Sequence, residues 1–170
     1  MEFKSIKANE LSLEEKKHWH TLQLDNEYLA SPYFNLEYTE LVASVRNDVR
    51  ILVIYKREEP IGFFPYQITA QNNMIPLSGS LSDNHGLIAS SHFNFNFNEI
   101  LSKLKLKSFS YDHFINAQQH YLSSPISQDV SPIIDLSKGY DNYLLDLKKM
   151  KSKMPYKLRK AYRKLSNENK

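Results

Sequence analysis

Residues 49–68, with the sequence VRILVIYKREEPIGFFPYQI, carry the clearest structural signal in this chain of 170 residues. Residues 49–55 and 60–68 are rich in β-branched and aromatic side chains, which favour strands. The four residues between them, KREE, are all charged, which is typical of an exposed turn. We therefore predict a β-hairpin.

Two helices are predicted before the hairpin. Ser12 and Glu15 have the spacing of a capping box, and apolar residues recur with a roughly helical period over residues 13–28. Ser31-Pro32 interrupts this pattern. The apolar residues at positions 34, 38, 41, 42 and 45 then predict a second helix, capped by Asn35 and ending near residues 46–47.

Shorter elements are predicted after the hairpin. Residues 74–77, 86–89 and 107–114 have the composition of strands, and residues 99–104 that of a short helix. Residues 78–84 are interpreted as a loop, and residues 120–123 and 132–136 as further extended pieces. Because helices alternate with short strands, the pattern indicates an α/β fold.

The C-terminal segment differs from the rest of the chain in charge. Residues 1–147 carry 12 Lys and Arg against 18 Asp and Glu, whereas residues 148–170 carry 10 against 1. From Tyr140 onward the apolar spacing is helical, with a break near Met154-Pro155 followed by a Lys- and Arg-rich helix. We predict one domain over residues 1–139 and a basic helical segment over residues 140–170.

The composition excludes several kinds of chemistry. The chain has no cysteine, so disulfides, thiolate metal sites and a thiol nucleophile are excluded. The N-terminus lacks the long apolar region of a signal peptide, and the longest apolar runs have the length of strands. We expect a cytoplasmic protein without a membrane span.

The candidate functional residues are Asp83, Asn84 and His85, in a polar loop between two apolar strands. A carboxylate, an amide and an imidazole in succession could orient an amine or hydroxyl of a substrate, with His85 or Asp83 as the proton acceptor. The alternative is a simple connecting turn in which Asp83 and Asn84 cap their own backbone and Gly86 resets its direction.

Other polar and aromatic patterns favour structural roles. His18 and His20 lie two residues apart on a predicted helix, so they point to different sides and do not share a metal ion easily; we interpret them as surface histidines beside a core Trp19, and expect no metal. Asp112-His113 has no serine or cysteine nucleophile to complete a catalytic set, and we interpret His113 as a strand-end residue. Phe93, Phe95 and Phe97 would share one face of an extended segment, at a core or interface edge.

Several segments together carry a resemblance to a known family. They are SPYF at 31–34 leading to VRNDVR at 45–50, PIGFFPYQ at 60–67, PLSGSLSDNHGLI at 76–88, and SPIIDLSKGY at 131–140 followed by RKAYRKL at 159–165. In order and spacing this set resembles the GNAT-type acetyltransferases of the cellulose-biosynthesis (CelD/BcsL-like) family. The resemblance spans nearly the whole chain.

The resemblance implies a fold, an activity and a partner. It implies a GNAT-like mixed sheet flanked by helices, incomplete in itself, with a C-terminal basic helix. Members look like relatives of the Fem-type transferases, in which a second GNAT-like half binds acyl-CoA. Residues 1–139 would then be the N-terminal GNAT-like domain, and residues 140–170 would open a second GNAT domain that these residues do not contain. The intact enzyme would transfer acetyl from acetyl-CoA to an amine or hydroxyl of a sugar or polysaccharide precursor, with the Asp83 to His85 loop as one wall of the acceptor cleft.

The glycine positions bear on the acetyl-CoA site. A GNAT enzyme holds the coenzyme pyrophosphate on backbone N–H groups of a glycine-rich loop at a helix N-terminus. The four glycines, at positions 62, 79, 86 and 139, form neither a Gly-x-Gly nor a Gly-x-Ala pair. We therefore expect the acetyl-CoA site to lie outside these residues, and a P-loop and a dinucleotide fingerprint are missing as well.

The basic helix has three interpretations. It could join two GNAT halves and place cations near a phosphate-bearing ligand, it could bind nucleic acid or an anionic membrane surface, or it could be a solvated face whose apolar stripe lacks a partner. Since Tyr156 and Tyr162 provide only modest aromatic interleaving, we favour the first or third and expect no nucleic-acid partner. The alternative function for the chain is a non-catalytic GNAT-like domain that binds a protein, a carbohydrate or an anionic partner.

Overall fold

The computed structural model describes residues 1–90, 93, 96–122, 127–132 and 134–168, with the backbone alone at 167 and 168. The chain divides into two compact units, Met1–Gln128 (unit 1) and Asp129–Lys170 (unit 2). Unit 1 contains a mixed sheet flanked by helices, and unit 2 contains two helices. The α/β class expected from the sequence is confirmed.

Unit 1 has six strands and three α-helices among its described residues. The strands are β1 (Glu2–Ile6), β2 (Val49–Lys56), β3 (Glu59–Ile68), β4 (Asn73–Pro76), β5 (Ile88–Ala89) and β6 (Ser108–Phe109). The helices are α1 (Leu13–Leu24), α2 (Leu36–Val45) and α3 (Phe97–Lys103). Short 3₁₀ turns at Ala8–Glu10, Glu27–Leu29, Pro32–Phe34, Gly79–Leu81 and Asn116–Tyr121 connect them.

The predicted hairpin forms the middle of the sheet. Strands β2 and β3 pair antiparallel, with Val53 opposite Phe63. The connecting residues, Arg57 and Glu58, both have left-handed φ angles of 53° and 70°, as a two-residue hairpin with a primed turn requires. The sheet order is β1-β2-β3-β4-β6, with β5 also paired to β3, and the β4–β6 pair is parallel.

Helices cover both faces of the sheet, which explains why β2 reads as an almost continuous apolar run rather than an alternating one. On one face, Trp19 of α1 packs on Ile51, Val53 and Phe63, with ring centroids of Trp19 and Phe63 5.1 Å apart. On the other face, Phe97 of α3 packs in the cluster that contains Leu52 and Phe64. The central strands are therefore buried on both sides.

Two strands, β4 and β5, pair with different parts of the same side of β3. Strand β4 pairs with Tyr66 to Ile68, and β5 pairs with Gly62 and Phe63, both antiparallel. Between them residues 77–87 leave the sheet, so this side of the described ladder has no partner at Phe64 and Pro65. Pro65 has no N–H to donate, and proline in a strand is usually confined to such breaks. This excursion holds the candidate functional residues.

The first helix ends earlier than predicted. Helix α1 has the expected capping box between Ser12 and Glu15, but it stops at Leu24 and a 3₁₀ turn follows. The cause is Asn26, whose buried side chain donates to the carbonyl of Ala89 at 3.1 Å and accepts from the N–H of Tyr28. A tertiary contact therefore overrides the local helical period. Helix α2 begins after Asn35 as predicted, but the Asn35 side chain makes no cap bond and instead accepts from Nε2 of Gln23 at 2.5 Å.

Several other predictions differ from the structure. Strand β1, at the edge of the sheet, was not predicted because EFKSI is short and polar. Strands β5 and β6 are shorter than expected. His120 and Tyr121 end a 3₁₀ turn and Leu122 follows it, so the extended piece expected there is not formed by these residues, and Ser123 lies outside the described residues. The described part of residues 132–136 contains no strand.

The phenylalanine pattern does not form one extended face. Phe97 begins helix α3 and is buried, and Phe93 packs against the same core. Phe95 lies outside the described residues. A core role is therefore confirmed for Phe93 and Phe97, but the extended geometry is wrong, because Asn96 caps the helix through its side chain.

Unit 2 contains α4 (Tyr140–Lys149) and α5 (Met154–Glu168), which contact each other. Tyr143, Leu144 and Leu147 of α4 are half-buried. The break between the helices precedes Met154, and Pro155 sits in the first turn of α5, where a missing N–H costs little. Within the described ranges, no helix has both the length and the apolar character needed to cross a membrane.

Candidate functional site

Backbone hydrogen bonds hold His85 in place. Its N–H donates to the carbonyl of His113 at 2.9 Å, and its carbonyl accepts from the N–H of Ile115 at the same distance. These bonds form an isolated parallel bridge beyond the ends of β4 and β6. These hydrogen bonds connect residues 82–87 with residues 112–118, next to the part of β3 that has no strand partner on that side, at Phe64 and Pro65.

The imidazole of His85 is almost completely buried. Its side chain is 6% exposed, and within the described part of the chain Nε2 has no hydrogen-bond partner. The nearest charged atom is Oδ1 of Asp112, 3.5 Å from Nε2. This separation is longer than a normal hydrogen bond, so the buried nitrogen faces a carboxylate without a well-formed bond to it.

Burial lowers the pKa of His85, because an imidazolium loses its hydration inside the protein. The negative charge of Asp112 raises the pKa of His85, and the charge of His113 lowers it. Smaller increases in this pKa come from a hydrogen bond with the backbone of Ser82 and from the charge of Asp83. The balance favours a neutral imidazole at neutral pH. A neutral imidazole is the form that can accept a proton.

Asp112 lies between two histidines. Its side chain is 51% exposed, with Oδ1 toward His85 and Oδ2 3.7 Å from Nδ1 of His113. His113 has a left-handed φ of 48°, a backbone conformation that few residues other than glycine adopt readily. The arrangement joins a buried imidazole to a carboxylate that reaches solvent.

The two other predicted site residues occupy different environments. Asn84 is half-buried and its amide donates to Oγ of Ser31 at 3.2 Å, while Asp83 is exposed. Ser82, just before them, is buried and its Oγ lies 2.7 Å from the hydroxyl of Tyr38 on α2. The loop is therefore pinned to other elements through its side chains, which a simple turn does not require.

Gly86 is needed for space. Its φ is not left-handed, so the expectation that it resets the backbone direction is wrong. A Cβ at this position would lie 2.8 Å from Oε1 of Gln118. That buried amide accepts from the N–H of Leu87 and donates to its carbonyl, both at 2.7 Å, in the way a neighbouring strand would. Gln118 therefore fixes the chain directly after His85.

The sequence analysis identified His85 but considered Asp112 separately and gave no role to Ser82 or Gln118. The contact between His85 and Asp112 joins residues 27 positions apart, and no local spacing reports such a contact. The sequence feature that could have indicated this contact is that two polar segments, 82–85 and 112–113, lie at the ends of predicted strands.

His18 and His20 do not belong to a group of described side chains that could hold a metal ion. Trp19 is fully buried while His18 and His20 are half-buried, so the core role of Trp19 is confirmed. His20 lies 3.8 Å from Glu37, on α2. Among the residues that the structure describes, no group of three His, Asp or Glu side chains could hold a metal ion.

The glycines do not provide a cradle for the acetyl-CoA pyrophosphate. Gly62 lies inside β3 against Ala89, and Gly86 is packed on Gln118. Gly79 is the first residue of a short 3₁₀ turn, and Gly139 directly precedes α4 but stands alone. The four glycines therefore do not form a glycine-rich loop at a helix N-terminus.

Fold and site together define an α/β protein with a buried imidazole beside a solvent-reaching carboxylate at a break in a mixed sheet. Comparison with known proteins identifies no particular relative: no family model, no curated protein and no solved structure matches this chain.

Proposed function

We propose that this chain is the acceptor-binding, N-terminal part of an acetyl-CoA-dependent acetyltransferase that acts on an amine or hydroxyl of a sugar or polysaccharide precursor. The observation that carries the proposal is the buried imidazole of His85, with Nε2 unpartnered among the described residues and 3.5 Å from Asp112. The resemblance of residues 31–34, 45–50, 60–67, 76–88 and 131–140 to the CelD/BcsL-like GNAT family supports acetyl transfer as the reaction.

In this proposal His85 is the general base. In acetyl transfer the acceptor oxygen or nitrogen forms a bond to the thioester carbonyl carbon and loses a proton, and the C–S bond breaks to release the coenzyme thiolate. A neutral imidazole can take the acceptor proton and later return it to the thiolate. Asp112 would stabilise the imidazolium when its carboxylate lies beside Nε2, 3.5 Å away as in this structure, because opposite charges attract. Asp112 is a positioning and charge-stabilising residue here.

Access to His85 needs a local rearrangement. Nε2 is closed to solvent, so an acceptor reaches it only when a neighbouring segment, such as residues 112–113, shifts. The left-handed backbone at His113 marks a strained point at which that segment could change conformation. Asp83, exposed on the same loop, offers a carboxylate to a hydroxyl or ammonium group of the acceptor.

The second part of the proposal concerns acetyl-CoA. Since the glycines of this chain do not fit the coenzyme, it would bind to a partner GNAT half. Helix α5 is suited to contact that half, because its apolar side chains at Met154, Leu158 and Leu165 are 46%, 41% and 60% exposed and share one helical face. Its cations, including Arg159 and Arg163, could approach the phosphates of the coenzyme.

The acceptor role is tested by titrating the ¹⁵N-labelled chain with D-glucosamine and methyl β-D-glucoside and recording amide shifts. We expect shifts at residues 83–85 and 112–115, and about tenfold weaker binding by His85→Gln. His20→Gln, which removes a histidine outside the site, is the control and should bind as the wild type does. Sugar binding that leaves residues 83–85 unmoved would refute the acceptor role.

The coenzyme assignment has its own test. Calorimetry of acetyl-CoA with these 170 residues is expected to show no binding, and binding would refute the claim that the coenzyme site lies elsewhere. A protein that also contains the coenzyme-binding half should transfer acetyl to the sugar and lose activity with His85→Gln. Sugar binding without any transfer would favour the non-catalytic, carbohydrate-binding alternative.

A further inference from the structure

A cavity lies in unit 1, away from His85. It has a volume of about 520 Å³ and is formed by the 3₁₀ turn after β1, the start of α1, the end of α2 and the start of β2. Four of its lining side chains are cationic, namely Lys7, Lys16, Arg46 and Arg50, and Glu40 is the single carboxylate among its lining residues. The cavity is large enough for a small organic ligand.

Two of the four cations are already neutralised. Nζ of Lys16 lies 2.7 Å from Oε1 of Glu40. Arg46 binds both carboxylate oxygens of Asp48, at 3.0 Å and 2.7 Å, and this holds the pKa of Asp48 down to about 2. Each pair combines one cationic and one anionic side chain and therefore contributes little net charge.

The other two cations, Lys7 and Arg50, have no carboxylate partner within the described residues. One guanidinium nitrogen of Arg50 donates to the carbonyls of Asn47 and Val49, at 3.0 Å and 2.7 Å. These bonds hold the guanidinium in one orientation and leave its other N–H groups for a ligand. The cavity thus carries two uncompensated positive charges.

The cavity also has an apolar wall. Ala8 and Val49 are nearly fully buried, and Ala43 is half-buried. Small side chains at these positions leave room beside the cations. A ligand that combines an anionic group with a compact organic body would use both kinds of surface.

We propose that this cavity binds a small organic phosphate monoester, with the phosphate between Lys7 and Arg50 and the organic body against Ala8, Ala43 and Val49. A phosphate monoester carries a charge of about −1.5 to −2 at pH 7, which matches the two uncompensated cations. Its oxygens suit the planar donor fork of arginine. The lining residues do not include any of the candidate acetyl-transfer site, so this inference is independent of the proposed function.

The test uses D-glucose 6-phosphate as the probe, with D-glucose as the neutral comparison. In ¹⁵N-edited spectra of the whole chain, the phosphate ester should shift the amides of Ala8, Asn47 and Val49, and glucose should not. Lys7→Gln and Arg50→Gln should each weaken binding about tenfold in calorimetry. Lys107→Gln removes an exposed cation outside the cavity and should leave binding within about twofold of the wild type.

Two outcomes would overturn the inference. One is an equal loss of affinity in Lys7→Gln and Lys107→Gln, since binding would then follow net charge alone. The other is the absence of shifts at the cavity amides. The Arg50 side chain bonds to backbone carbonyls, so its replacement could unfold the chain, and circular dichroism is therefore recorded for each variant. If Arg50→Gln does not fold, Lys7→Gln decides the result, because the Lys7 side chain is exposed.

Discussion

At the scale of single residues, the proposed chemistry depends on the surroundings of His85. Its imidazole is buried, one nitrogen lacks a partner among the described residues, and a carboxylate lies just beyond hydrogen-bonding distance. Sequence reasoning selected His85 because it lies in a polar loop. It could not show that the side chain is buried, because the residues that contact His85, Asp112 through its side chain and His113 and Ile115 through their backbone, lie in a distant segment.

The lowered pKa of His85 predicts how stability depends on pH. The unfolded chain binds a proton at His85 more readily than the folded chain, so the free energy of unfolding should rise with pH below and around the usual histidine pKa of about 6.5 and level off above it. Urea unfolding at pH 5.0 and pH 7.5 measures this. The loss of stability at pH 5.0 should be smaller in His85→Gln than in the wild type.

Asp112→Asn provides the matched variant for that experiment. Removing the carboxylate removes the charge that raises the pKa of His85, so the pKa should fall further and the difference in stability between pH 7.5 and pH 5.0 should grow. An unchanged pH dependence in both variants would contradict the assignment of the effect to this pair.

At the scale of elements, the hairpin shows what local sequence predicts well. Strands β2 and β3 form where the β-rich runs lie, and the charged residues form the turn. The excursion of residues 77–87 could not be predicted in this way. It depends on β4 and β5 sharing one edge of β3 across the break at Phe64 and Pro65.

The hairpin turn predicts a stabilising substitution. Glu58 has a φ of 70°, a conformation that costs roughly 1 kcal/mol for a residue with a side chain and little for glycine. Glu58→Gly should therefore raise the free energy of unfolding by about 1 kcal/mol in urea denaturation. Glu59→Gly, one residue later in β3, should lower it, because glycine weakens a strand. Destabilisation by Glu58→Gly would contradict the assigned turn geometry.

At the scale of the whole molecule, all three buried clusters lie within unit 1. Their members run from Ala8 to Tyr121, and both faces of the sheet are covered by helices of the same unit. Unit 2 has its own pair of helices, and α5 leaves most of its apolar side chains exposed. The folding of unit 1 should therefore not require unit 2.

This leads to a prediction for a shortened chain. Residues 1–128 should unfold cooperatively on heating, with a midpoint within a few degrees of that of the full chain, because the shortened chain retains every residue of the buried clusters. Circular dichroism measures the transition, and the amide spectrum of residues 1–90 should overlay that of the full chain. A broad transition with collapsed amide dispersion would show that unit 2 contributes to the core.

The sequence by itself determined the α/β class, the central hairpin, helices α1 and α2 and the basic C-terminal helices, because these depend on local periodicity, capping residues and charge. It also showed that the chain has no glycine-rich coenzyme loop. Only the tertiary structure decided where α1 ends, where the sheet is interrupted and that Asp112 faces His85. Those features arise from contacts between distant segments, such as Asn26 with Ala89 and Gln118 with Leu87, which no local pattern encodes.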